Sequence, residues 1–206
     1  MSKKIAIYGG TFSPPHAGHV RAMEAFLAQE TPDLAYVIPT FMAPHKLMQG
    51  DATPEQRLAM CHLAFGHLPV TVSNMEINRG GKSYTAQTLE AIKAENPEAT
   101  LVFLCGTDMF LTLHKWYCPE RIMALAEIVY VQRETGEDGE AIAEQLRKQA
   151  EFLKETFGAV TRPLCCDAIE ISSSEMREAF LHGRDTSHYL SAAVREYIDQ
   201  WMLYRT

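Results

Sequence analysis

The chain has 206 residues, 47% hydrophobic and 22% charged, with a formal net charge of −7 at pH 7. These values suit a globular protein with a substantial core, and the acidic balance excludes a broad electrostatic footprint for nucleic acid. Any phosphate ligand must therefore be held by a local group of cations. Five cysteines (Cys61, Cys105, Cys118, Cys165, Cys166) show no metal-ligand spacing. An odd count with two adjacent residues is expected of reduced thiols in a cytoplasmic protein, packed as small hydrophobes. Met1-Ser2-Lys3-Lys4 leads into an apolar run of strand length only, so neither a signal peptide nor a membrane-spanning helix is expected.

The first predicted strand, Ile5–Tyr8, runs into Gly9-Gly10-Thr11-Phe12-Ser13-Pro14-Pro15-His16-Ala17-Gly18-His19 and a helix over His16–Gln29. The two glycines are expected to adopt positive φ and let the backbone approach a ligand closely. Turn amides and the free N–H groups of the helix start make an anion site. His16 and His19 lie one turn apart and project from one face beside it. Strand, glycine turn and two imidazole donors describe a nucleotide-handling site, and an enzyme is expected. Zinc is the weaker reading, because no third ligand is evident.

The second strand, Ala35–Thr40, leads into Pro39-Thr40-Phe41-Met42-Ala43-Pro44-His45-Lys46, a proline-stiffened loop that presents His45 and Lys46 at the strand's carboxyl end. Lys46 suits a phosphate oxygen; the plain alternative is a solvated surface lysine. A helix over Pro54–Phe65 opens on Thr53-Pro54-Glu55-Gln56, with an N-cap, a proline at its first position and a glutamine to close the box. After the third strand, Val70–Met75, comes Asn78-Arg79-Gly80-Gly81-Lys82-Ser83. Its Gly-Lys-Ser resembles a P-loop, but Glu76 stands where a P-loop needs glycine, and a carboxylate there opposes the phosphates. Arg79, Tyr84 and Thr85 can still offer a pocket charge, stacking and a hydrogen bond.

A helix over Thr85–Glu95 and a strand over Leu101–Cys105 precede Gly106-Thr107-Asp108. Gly106 permits close approach, and Asp108 is either a ribose-binding carboxylate or the cap of a following helix. Trp116 and Tyr117 are core packing or a stacking wall for a planar ring. A helix over Glu120–Ala126 and a strand over Ile128–Gln132 bring Arg133 to the same end of the sheet. A loop over Thr135–Glu140, a helix over Gly139–Phe157 and a strand over Cys165–Ile169 follow. Ile171-Ser172-Ser173-Ser174-Glu175-Met176-Arg177 then opens a helix over Ser173–Leu181. Ser172 and Glu175 fit a capping box, yet hydroxyls and free amides at a helix start also bind phosphate. Arg177, one turn in, can reach back with a bidentate fork. The chain closes on a helix over Ala192–Leu203.

Strands and helices alternate throughout, and most strands are unbroken apolar runs, as parallel strands covered on both faces require. The expected fold is α/β with a doubly wound parallel sheet. It makes a single domain over residues 1–206, its C-terminal helical part from about residue 171 packed on the sheet.

In this order the motifs resemble the nucleotidyltransferase superfamily marked by a strand-linked His-x-Gly-His, and within it the nicotinate-nucleotide adenylyltransferases. The resemblance covers nearly the whole chain: Gly9-Gly10-Thr11-Phe12 with His16-Ala17-Gly18-His19, then Pro44-His45-Lys46, Ser83-Tyr84-Thr85, Gly106-Thr107-Asp108, Trp116, Ile171-Ser172-Ser173 with Arg177, and a closing helix ending in Leu203-Tyr204. The chain departs from the family pattern at Ser13 (usually Asp), Pro15 (usually a branched aliphatic), Ala43 (usually Pro) and Ser174 (usually Thr), and Arg133 lacks the usual Pro-Gly.

The resemblance implies a Rossmann-like nucleotidyltransferase fold and transfer of AMP from ATP, with Mg²⁺, to nicotinate mononucleotide in NAD biosynthesis. It implies His16, His19, Lys46 and Arg177 as catalytic, and Gly9, Gly10, Thr11, Phe12, Gly106, Asp108, Ile171, Ser172, Ser173 and Ser174 as the ATP and phosphate site. Lys46, Tyr84, Thr85, Trp116 and Arg133 would take the pyridine nucleotide, with no resident metal. Expected partners are these small molecules, with no nucleic acid and no membrane; monomer and homo-oligomer both stay open. The rival readings are an enzyme preferring nicotinamide mononucleotide, a pantetheine-phosphate adenylyltransferase, a non-catalytic nucleotide-binding module and a P-loop kinase.

Overall fold

A computed structural model describes residues 2–44, 52–132, 139–166 and 171–205. Six strands, β1 (Lys4–Gly10), β2 (Leu34–Pro39), β3 (Thr71–Val72), β4 (Thr100–Cys105), β5 (Ala126–Gln132) and β6 (Thr161–Cys165), make one sheet in the order β3-β2-β1-β4-β5-β6. The β1–β4, β4–β5 and β5–β6 pairs are parallel. This is the expected doubly wound order, whose winding reverses between β1 and β4. Between and after the strands come α1 (Ala17–Glu30), α2 (Pro54–Phe65), α3 (Met75–Arg79), α4 (Thr85–Glu95), α5 (Thr107–Thr112), α6 (Pro119–Leu125), α7 (Gly139–Phe157), α8 (Ser173–Leu181) and α9 (Ala192–Gln200).

By its internal contacts the chain forms two compact units. The first is drawn from Met1–Gly9, Ala22–Tyr36 and Tyr84–Ala168, the second from Gly10–Arg21, Val37–Ser83 and Ile169–Thr206. In the first unit, Ile5, Ala6 and Ile7 of β1, Leu101 to Leu104 of β4 and Ile128 and Val129 of β5 are all buried. That is why these strands read as continuous apolar runs. Phe110 stacks on Tyr130 at 4.0 Å, and α7 turns Leu146 and Leu153, two turns apart, to the interior. Arg162 on β6 donates to Glu30 at 2.6 and 2.8 Å and to Glu127 at 2.7 Å, so α1, β5 and β6 share one ion cluster. The Arg162 hydrogen bonds hold the Glu30 carboxyl at about 2, well below its ordinary value.

β6 starts four residues before the expected strand Cys165–Ile169, of which residues 167–169 lie outside the described residues; it runs through Pro163, which an edge strand tolerates and a central one does not. β3 is only Thr71–Val72, since the Ser73 hydroxyl accepts the Met75 N–H (3.3 Å) and starts α3 where strand was expected. α5, given no bounds in the sequence reading, is a short helix with a glycine N-cap and no side-chain cap.

In the second unit α2 and α8 carry complete capping boxes, Thr53 with Gln56 and Ser172 with Glu175, as the sequence indicated. The buried side of α2 is Arg57, Met60, Cys61, Ala64 and Phe65, and Met176, Val194 and Ile198 are buried on α8 and α9. Among the described residues no helix is long and apolar enough to cross a membrane.

Candidate active site

Gly9 and Gly10 are extended residues at the end of β1, and the left-handed step falls on Phe12 instead (φ 49°). The expectation of positive φ at the glycines is thus corrected, and a different constraint explains Gly10. A Cβ there would lie 2.8 Å from the Phe12 ring, which folds back against it and is 1% exposed. A left-handed non-glycine costs on the order of 1 kcal/mol or more and persists only where packing over-determines it. Here the Phe12 ring stands edge-on to His19 (5.0 Å, 73°) and to Phe65 (5.7 Å), so the strained residue supports an imidazole.

α1 begins at Ala17, and His16 is its N-cap: the His16 carbonyl accepts the N–H groups of His19 (2.9 Å) and Val20 (3.2 Å). The His16 N–H in turn donates to Nδ1 of His19 (3.2 Å), a reciprocal cap that leaves the neutral His19 ring its N–H on Nε2. The two rings stack at 3.7 Å, 30° apart. The Ala17 N–H is taken by the Tyr189 carbonyl (2.7 Å), so the helix start offers fewer free amides than expected and the imidazoles matter more. His16 is 6% exposed, and Nδ1 of its ring meets no hydrogen-bond partner among the described residues. Burial pushes its pKa down to about 4, against the pull of Glu175, so the free protein holds a neutral donor there at pH 7.

Ser13 and Pro14 are held from the C-terminal part of the same unit. Arg177 donates to the Ser13 carbonyl (2.9 Å) and to Oγ of Ser174 (3.1 Å), and the Ser173 hydroxyl donates to the Pro14 carbonyl (3.0 Å). The sequence has Arg177 reach back toward an anion at its own helix start; the geometry places its guanidinium on the Ser13 carbonyl and Ser174, which preset it. At the start of α8, the Glu175 carboxylate accepts both the N–H and the hydroxyl of Ser172 at 2.7 Å. Ser172 therefore serves the cap, while Ile171 just precedes it.

The Ser13 hydroxyl, buried, shares a 3.1 Å hydrogen bond with the Tyr204 hydroxyl. The departure from the family pattern at Ser13 thus closes on the chain's own C-terminal tyrosine. Tyr204→Phe leaves the Ser13 hydroxyl buried without it and should lower the unfolding free energy by about 1 to 2 kcal/mol, read from urea transitions. Ser13→Ala with Tyr204→Phe should cost less than the sum of the single changes.

Arg57 is a residue the motifs did not flag. It is fully buried and donates to the Thr11 carbonyl (2.8 Å) and the Phe41 carbonyl (3.0 Å). A signal was available, since an arginine occupies the apolar stripe of α2 alongside Met60, Cys61 and Ala64. The loop after β2 is fixed further by Thr40 N–H to the Gly10 carbonyl and Ser83 N–H to the Met42 carbonyl, both 2.9 Å. Phe41 N–H donates to Oγ of Ser83 at 2.9 Å. The Gly-Lys-Ser serine thus holds a neighbouring loop, in keeping with rejection of a P-loop.

In the first unit, Gly9 packs against Phe103, 3.5 Å from where its Cβ would lie. Trp116 is half-buried with its ring at 6.4 Å and 73° to Phe103, a placement between core and surface. Tyr84 is the N-cap residue of α4 and stacks on Tyr117 (4.4 Å), with Thr85 the first residue of that helix. Gly106 is the N-cap of α5; its φ is −71° and a Cβ would meet nothing within 4 Å, so the chain's own packing does not demand glycine there. Asp108 lies in the first turn, exposed and not the cap, which removes one of its two readings. Lys46 and Arg133 lie outside the described residues.

A doubly wound sheet of this order, whose glycine-bearing first strand leads to paired imidazoles at a helix start, is the arrangement of a nucleotidyltransferase. The family model described as cytidylyltransferase-like matches residues 7–179. A probable nicotinate-nucleotide adenylyltransferase of Trichlorobacter lovleyi is 31% identical over 98% of this chain and 99% of its own length. Another, of Citrifermentans bemidjiense, is 34% identical over 98% of each. The solved structure of Plasmodium falciparum nicotinic acid mononucleotide adenylyltransferase complexed with NaAD is similar in fold, with a TM-score of 0.75, 19% identity and coverage of 98% of this chain and 97% of that one. The chain belongs to the nicotinate-nucleotide adenylyltransferases of the cytidylyltransferase-like family.

Proposed function

We propose that this enzyme transfers AMP from ATP to nicotinate mononucleotide, giving nicotinate adenine dinucleotide and pyrophosphate. The observation that carries the reading is the His16–His19 pair, its rings 3.7 Å and 30° apart and capped reciprocally just beyond the glycine-bearing end of β1. A 5′-phosphate oxygen of the mononucleotide attacks the α-phosphorus of ATP as the bond from that phosphorus to the bridging oxygen breaks, and the electron pair leaves with pyrophosphate. No covalent enzyme intermediate is needed, so the protein's work is positioning and charge stabilisation. His19 offers Nε2–H and His16 its buried ring to the α- and β-phosphates. An anion beside His16 favours its protonated form, which strengthens the donor as charge builds.

Arg177 and the Ser172–Ser174 helix start, with Lys46 by its place in the motif, hold the departing pyrophosphate. Thr11 and Phe12 supply the loop backbone, and Gly106 and Asp108 the ribose contact. Tyr84, Thr85, Trp116 and Arg133 are assigned to the pyridine nucleotide. ATP enters as its Mg²⁺ complex: the imidazole, guanidinium and hydroxyl donors named here suit an anion, and the ion belongs to the phosphate oxygens. The free buried thiols of Cys61 and Cys105, pushed up by burial, fit a cytoplasmic setting.

Pyrophosphate release with MgATP is the test, run in parallel with nicotinate mononucleotide, nicotinamide mononucleotide and phosphopantetheine. The expected result is a kcat/KM at least about tenfold higher for the nicotinate form, the size of a single well-made polar contact. Release with another acceptor only would overturn the pyridine assignments. ATP binding without release from any acceptor would support a binding module.

A further inference from the structure

Arg57 carries a charge that the chemistry above does not use, in a position where charge is costly. Its side chain is fully buried, and its guanidinium closes on two backbone carbonyls thirty residues apart: Thr11 in the histidine loop (2.8 Å) and Phe41 in the loop after β2 (3.0 Å). A guanidinium in that setting holds both carbonyls in one plane with charge-assisted bonds. The peptide group is planar and trans, so a carbonyl turned one way turns the next N–H the other. Holding Thr11 C=O on Arg57 thus directs the Phe12 N–H away from the guanidinium. Phe12 is the residue with φ 49°, and its ring backs His19, so the path of this peptide also sets the imidazole's support.

We propose that Arg57 is a positioning residue for adenylyl transfer, whose fork on the Thr11 and Phe41 carbonyls sets the shape of the loop that receives the triphosphate. The inference rests on the reading under Proposed function. Lysine at this position keeps a cation but cannot bond both carbonyls in a plane, and glutamine keeps one planar donor without charge. Its effect should therefore fall on ATP more than on the acceptor.

The test compares wild type, Arg57→Lys and Arg57→Gln. It reads kcat, both KM values, calorimetric binding of a non-hydrolysable ATP analogue and the urea midpoint. The expected result for a folded Arg57→Lys is about a tenfold loss of analogue affinity and a matching rise in KM for ATP. The KM for the mononucleotide should stay within about threefold, and Arg57→Gln should lose more. Wild-type analogue binding and KM for ATP in folded Arg57→Lys would overturn the proposal. So would equal losses for both substrates that track a lowered urea midpoint, or failure of both variants to fold, since each makes Arg57 a stability residue. If the wild type releases no pyrophosphate, the proposed reaction fails, while the analogue-binding comparison still decides whether Arg57 shapes an anion loop.

Discussion

His19→Ala should lower kcat by about 10² to 10³-fold while KM for ATP stays within about threefold, the pattern of a donor used chiefly in the transition state. Nδ1 of His19 accepts the His16 N–H, so the N–H of the neutral ring is carried by Nε2. The ring cannot swing freely to find a ground-state phosphate. His16 stacks on one side at 3.7 Å, and the Phe12 ring stands edge-on at 5.0 Å. A fixed donor of this kind matters most where charge appears during the reaction, here on the transferring phosphoryl group and the departing pyrophosphate. Alanine also removes a helix cap worth about 1 kcal/mol, which is a stability effect and not a catalytic one. His19→Asn keeps a short side-chain acceptor for the His16 N–H, so a rate loss shared by both variants belongs to the Nε2 donor. An ATP affinity that falls as far as the rate would show uniform binding and sink the transition-state role.

The sheet was legible because its central strands are buried on both faces and so lack alternation, which Ile5–Tyr8 and Leu101–Cys105 display without interruption. The two capping boxes were legible because capping chemistry is local: Thr53 with Gln56, and Ser172 with Glu175, need only neighbours three residues away. What escaped depends on distant residues. A strand through Pro163 is possible because β6 is the edge of the sheet, which its neighbours in sequence do not reveal; α3 is a local exception, started by the Ser73 hydroxyl two residues before Met75. At the histidine loop the local geometry differs from the expectation. Two glycines suggested a left-handed turn, yet the turn belongs to Phe12, because Gly10 is needed to leave room for the Phe12 ring. Arg57 showed in sequence only as an arginine in an apolar stripe; its partners did not, because they are the carbonyls of Thr11 and Phe41 and a carbonyl has no signature in sequence.

The buried His16 ring should also make the fold lose stability in mild acid. His16 titrates at about 4 in the folded protein, lowered by burial from an ordinary 6.5. The unfolded chain takes up a proton at that side chain below pH 6.5, whereas the folded chain does so only below about 4. Stability present above pH 6.5 is therefore lost as pH falls through that window, at up to 1.36 kcal/mol per pH unit, for a total of about 3 kcal/mol. Urea unfolding at pH 7.0, 5.5 and 4.5 measures this. His16→Asn, which cannot titrate, should show a distinctly flatter decline over the same range. Glu30 also destabilises in acid, but its carboxyl is held at about 2 by Arg162, so its loss falls largely below the window and is common to both proteins. Glu175 raises the His16 pKa electrostatically, so Glu175→Gln should widen the window by moving its lower end further into acid. Parallel pH profiles for wild type and His16→Asn would show that the ring is not held neutral by burial. The buried donor at the histidine loop would then be an imidazolium before any nucleotide arrives.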